Sequence, residues 1–162
     1  MKHAFKLLTL AFLLFASASN AQSEKLKCMI QMSNYPGEGA YIVVSLVNPK
    51  GEYEETLYVL GRDKKWYPDL KEWWKFQKVK KQNISAITGA SMAGGDRGTQ
   101  VLEIDKSKID KGYTLRFEAA VENQKYNVND IEVPLTTENV SGKVEGSNYI
   151  RYVRLAPGKD QN

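Results

Sequence analysis

The segment Tyr113–Val121, YTLRFEAAV, puts Tyr113, Leu115, Phe117, Ala119 and Val121 at every second position. A period of two suits a strand with one buried face, whereas a helix would scatter the same residues around its circumference. Leu26, Cys28, Ile30 and Met32 repeat the pattern. Ala40–Val47 (AYIVVSLV) is a β-branched run suited to a central strand. After the turn Asn48-Pro49-Lys50-Gly51, Glu54–Leu60 returns as the second arm of a hairpin. Gln100–Ile104, Val128–Leu135 and Tyr149–Leu155 complete seven short strands. With regular turns, no βαβ alternation and no internal repeat, the pattern predicts an all-β, immunoglobulin-like antiparallel β-sandwich. An up-and-down barrel is the alternative, made less natural by unequal loops. The domain is expected over residues 22–156, with 157–162 a disordered tail.

One segment departs from the strand pattern. In WYPDLKEWWKF, Pro68 and Asp69 suit the start of a short helix, and Leu70, Trp73, Trp74 and Gln77 follow at helical spacing. This aromatic insertion is expected to cover an open end or edge of the sheet, since large aromatics add much buried area to a small core. The same Trp66, Trp73 and Trp74 would also suit an aromatic wall for a planar ligand. Lys75, Lys78, Lys80 and Lys81 read as a solvated face.

The first residues bear on compartment and chemistry together. Lys2 and Lys6, the apolar run Leu7–Phe15 and the small residues Ser17–Ala21 form a secretory signal peptide, residues 1–21. The run is too short for a membrane anchor, so the chain is expected to be periplasmic or extracellular, without a transmembrane anchor after cleavage. Cleavage removes His3, the only histidine. Histidine-dependent nucleophilic mechanisms are then excluded, and no catalytic residues are expected: the chain reads as a non-enzyme, with no metal site. Cys28, the single cysteine, cannot form an intramolecular disulfide and is expected to fill core space. Losing Lys2 and Lys6 lowers the formal charge of +4 to about +2. With no dense basic patch, nucleic acid is not an expected partner.

The candidate functional stretch is Asn83–Thr99, NISAITGASMAGGDRGT. Gly89 and Gly94 have the outer spacing of a phosphate-binding P-loop, but Gly95 and Asp96 stand where Lys and Ser or Thr are needed. Ser91 as a nucleophile lacks a marked base. Asp96-Arg97 reads as a local ion pair or loop brace, with Arg97 alternatively holding a phosphate or carboxylate through its forked donors.

Two resemblances extend this reading. YIVVSLVNPKGEYEETLYVLG, WYPDLKEWW, ITGAS with the following glycine pair, and GYTLRFEAAVE together resemble the bacterial exported family known as domain of unknown function 2271. That resemblance implies a periplasmic or surface β-sandwich accompanying membrane redox and iron-related proteins. Ser85-Ala86-Ile87-Thr88-Gly89-Ala90-Ser91 is similar to the acceptor motif of exported flavin transferases: Asp, two free positions, Ser or Thr, Gly, Ala, then Thr or Ser. Thr88, Gly89, Ala90 and Ser91 match, and Ser85 stands in place of the Asp. The resemblance implies covalent FMN on Ser91, a flavin transferase and a cell-envelope or membrane redox protein as partners, and a role as accessory of extracytoplasmic electron transfer. Small neighbours leave the hydroxyl open to another enzyme's active site. The alternative is a non-catalytic interaction module for a cell-envelope partner, with the loop purely structural.

Overall fold

The computed structural model describes residues 22–158. Among the described residues, nine strands form two sheets. One sheet contains β1 (Ser23–Met32), β5 (Arg97–Asp105), β8 (Lys143–Glu145) and β9 (Ile150–Pro157), in the order β5-β1-β9-β8. The other contains β2 (Tyr41–Val47), β3 (Tyr53–Leu60), β4 (Thr88–Gly89), β6 (Thr114–Ala120) and β7 (Tyr126–Pro134), in the order β4-β3-β2-β6-β7. The architecture is the expected all-β, immunoglobulin-like sandwich, with its own strand order. All pairings are antiparallel except β3 with β4, where Val59 faces Thr88 and Leu60 faces Gly89.

The alternating residues define the space between the sheets. Leu26, Cys28 and Ile30 of β1 join Leu102, Ile104, Val153 and Leu155 on one side, against Ile42, Val44, Leu46, Leu115, Phe117, Ile131 and Val133 on the other. Register keeps them in layers: Leu26 sits opposite Leu102, and Cys28 opposite Leu155. A one-residue slip would turn each set toward the wrong face. Cys28 is a buried free thiol whose pKa burial pushes up to about 12, so it behaves as the small hydrophobe expected. The predicted hairpin is also present. Asn48 Oδ1 accepts from the amides of Lys50 and Glu52, and Gly51 takes φ +83°.

Two strands and two strand boundaries differ from the sequence reading. The two-residue β4 and the three-residue β8 are too short to leave a periodic signal. β5 begins at Arg97, so Arg97-Gly98-Thr99 are strand rather than loop. β9 runs through Pro157, which lies opposite Leu26. Residues 159–162 of the expected tail, and the expected signal peptide, lie outside the described residues.

The aromatic insertion forms a 3₁₀ turn (Lys64–Asp69) and α1 (Lys71–Lys80). It covers the outer face of the five-stranded sheet rather than an open end or edge. Tyr67, Leu70 and Trp73 bury against Val43, Val59 and Ala120, residues that alternate with the inner core set. Both faces of the sheet are therefore packed.

Under the start of α1 lies Glu118 of β6, with 0 % exposure. Its carboxylate accepts from Trp73 N through both oxygens at 3.1 Å, from Tyr53 Oη at 2.7 Å and from Tyr126 Oη at 2.9 Å. Tyr126 Oη in turn accepts from Glu72 N at 3.0 Å. Leu70 at the helix N-cap has no side-chain oxygen, and no side-chain cap bond forms there. The buried carboxylate takes the cap's role from a neighbouring strand, satisfying an otherwise orphaned amide where the helix dipole is positive. Trp73 Nε1 donates to Thr56 Oγ1 at 2.9 Å, which ties the same ring to β3.

Candidate functional site

The glycine-rich stretch is held at several points, and the sequence explains each. Asn83 Oδ1 accepts from Ser85 N at 3.1 Å and opens a 3₁₀ turn, Ser85–Ile87. Thr88 Oγ1 donates back to the Ile84 carbonyl at 2.7 Å. β4 then lies beside β3, and Gly61 N donates to the Gly89 carbonyl at 2.9 Å. Three residues on, Met92 is buried and bridges to Ala40 in both directions, at 2.7 and 3.1 Å. Between these anchors Ala90 and Ser91 stand exposed.

The glycine pair is structural. A Cβ on Gly94 would lie 2.1 Å from the Tyr35 carbonyl oxygen, which no side chain tolerates. Gly95 has φ +80°, the left-handed region glycine enters freely. Asp96 braces this turn by accepting from Ala93 N at 2.8 Å. Arg97 forms no ion pair with Asp96: its Nε donates to Gln31 Oε1 at 2.7 Å. The pairing expected from adjacency fails because Asp96 turns back to the Ala93 amide just before β5, whereas Arg97, the first residue of the strand, reaches Gln31 on β1.

Ser91 opens onto a cleft of about 150 Å³. Tyr41 and Trp66 supply its aromatic lining, and Glu38, Asp69 and Glu122 supply carboxylates. Gly39 makes room for the hydroxyl, since a Cβ there would sit 2.7 Å from Ser91 Oγ. The cleft thus unites Ser91 with Trp66. Thr88, Gly89, Ala90 and Arg97 do not line it, and its lining includes no lysine or arginine. Trp73 is withdrawn into the helix–sheet layer, and Trp74 faces a separate groove beside Ile84 and Ser85. Glu38 with Tyr41, Asp69, and Glu122 come from three separate segments, and no local spacing connects those segments.

Among the described residues, no group of three His, Cys, Asp or Glu side chains is arranged to hold a metal ion, and no helix is long and apolar enough to cross a membrane. No curated protein and no solved structure matches the chain. A family model does match, over residues 23–152, which take in α1, the glycine-rich stretch and nearly all of both sheets. Its description agrees with the export expected from the leader: the chain belongs to the family of predicted periplasmic proteins designated DUF2271.

Proposed function

We propose that this periplasmic protein is a non-catalytic accessory of electron transfer that carries FMN as a phosphodiester on Ser91. The observation that supports the reading is the exposure of Ala90-Ser91 between two backbone anchors, beside Trp66 and Tyr41. The donor set fits an attachment point. Ser91 supplies an exposed hydroxyl, Gly39 clears the space beside it, and Tyr41 and Trp66 offer apolar faces next to it. The redox chemistry belongs to the flavin when bound. The three carboxylates of the cleft disfavour a phosphodiester inside it, so the linkage must face solvent, as the exposed Ser91 does. Ser85 is also exposed, and in place of an acid it offers a transferase no charge.

Intact-mass analysis of the protein co-expressed with a flavin transferase tests the assignment. The expected result is an added FMN, transferred from FAD to Ser91 Oγ with AMP leaving and the hydroxyl proton lost, and a flavin absorbance, both lost in Ser91→Ala and retained in Thr99→Ala. An unmodified mass for the unaltered chain in the presence of an active transferase removes the reading. The second reading, an interaction module for a cell-envelope partner, draws on the acidic lining of the cleft. It predicts an unmodified Ser91 and capture of a cationic partner group.

A further inference from the structure

The lysines at the end of α1 do more than face solvent. Together with Lys64 of the 3₁₀ turn, Lys78 and Lys81 line a groove of about 460 Å³ between α1 and residues 82–85. That volume lies within the range of small-molecule sites. Trp74 and Tyr67 form its aromatic wall, with ring centroids 6.1 Å apart and planes at 66°, and Ile84 adds an apolar surface. No aspartate or glutamate lines it. Among the described residues, none of the three lysines forms a salt bridge, whereas nearby Lys65 and Lys75 pair with Asp63 and Glu72.

A helix C-terminus favours lysines on its own account, which explains Lys78 and Lys81 in part. It does not explain Lys64, which belongs to another element, or the aromatic wall. Nor does it explain Gln77. This side chain is 9 % exposed and lines the groove. Its Nε2 donates to the Gln82 carbonyl at 2.7 Å, which fixes the amide's orientation, and its Oε1 is left buried with no partner. That oxygen has essentially no accessible surface, so Gln77 shapes the groove without itself meeting a ligand. Lys81 itself takes a left-handed backbone, φ +52°, where glycine is the usual choice.

We propose that this groove binds a planar aromatic anion: a ring system that stacks against Trp74 and bears a carboxylate, sulfonate or phosphate for the lysines. The site is separate from Ser91 and does not depend on its modification. Arginine-like bidentate recognition is absent, so the lysines act as point charges and the ring supplies orientation.

Titration calorimetry on the mature chain, with 6-hydroxy-2-naphthoate and its uncharged methyl ester as probes, tests the proposal. The acid is expected to bind saturably, more tightly than the ester, and more weakly as salt is added. Lys64→Ala with Lys78→Ala should weaken the acid by about tenfold and leave the ester unchanged. Both lysines are exposed, so the double variant should fold, and Lys106→Ala with Lys111→Ala serves as the distant control. Trp74→Leu should weaken both probes. Equal binding of acid and ester, absence of saturable binding of the acid, or wild-type affinity in the lysine variant would overturn the proposal.

Discussion

Phe117 and Glu118 are neighbours on β6, each with 0 % exposure, and they face opposite sides of the same sheet. Phe117 lies in an aliphatic core that any set of apolar residues of similar volume would fill. Glu118 lies in a layer where a carboxylate, two tyrosine hydroxyls, a helix amide and an indole–threonine bond must all be matched. The inner face gives the sandwich its stability through area. The outer face spends part of its apolar burial on a charged group and gains a defined seat for α1. Burying polar groups fixes arrangement only when each is satisfied, and here Glu118 holds the helix start in one place.

Truncation of the largest buried side chain on each face is the strongest way to break this contrast. Phe117→Ala and Trp73→Ala should each cost about 3–5 kcal/mol in urea unfolding. Their consequences should then diverge. Phe117→Ala lowers hydrogen-exchange protection across both sheets, while Trp73→Ala lowers it first in α1 and leaves β1 and β6 protected. Equal, global loss in both variants would mean that the two layers are one cooperative unit.

A smaller change sharpens the comparison. Glu118→Ala removes one acceptor and strands the Trp73 amide and two tyrosine hydroxyls, at a cost of about 2–3 kcal/mol. Glu118→Gln keeps an acceptor of the same shape and should recover about half of that. The same substitution at an exposed strand position, Glu132→Gln, should cost less than about 0.5 kcal/mol, although Glu132 pairs with Arg116 at 2.7 Å. A Glu118→Ala protein as stable as the unaltered one would show that α1 is held by apolar contact alone.

The inner core was legible because one-sided burial leaves period two in the sequence. Leu26-Cys28-Ile30 and Leu115-Phe117-Ala119 sit where alternation placed them. The outer layer was legible only in part. Leu70, Trp73 and Gln77 are buried at the helical spacing expected, but where α1 docks depends on residues far away in the chain. Glu118 occupies a polar position in a clean alternating strand, which ordinarily means solvent. A signal did exist in AYIVVSLV, whose continuous apolar run requires cover on both faces. At the loop, Ser91 and Trp66 line one cleft, whereas Trp73 and Trp74 of the same aromatic segment lie elsewhere. The split of Asp96 from Arg97 and the groove joining Lys64 to Lys78 are products of docking, and adjacency in sequence carries no information about either.

The finest test concerns pH. Burial raises the carboxyl pKa of Glu118 above its ordinary 4.5, although hydrogen bonds from Tyr53, Trp73 N and Tyr126 act the other way, and Glu72 adds to the rise. Asp130 is raised above 3.8 for the same reason, against amide donors from Ile150 and Tyr149. Between the ordinary and the raised values the folded chain holds more protons than the unfolded chain, so stability is fully present below the ordinary value and falls as pH rises through the folded one. Asp105 and Asp110 are lowered by bonds from Ser107 and Thr137, and their stabilisation is lost only as pH falls below the ordinary range. The urea midpoint should therefore decline from about pH 4.5 towards neutrality. In Glu118→Gln that decline should become shallower without vanishing, because Asp130 still contributes. Parallel pH profiles for the two proteins would mean that Glu118 titrates alike in the folded and unfolded chain, and the outer face would then lose the electrostatic character that separates it from the inner one.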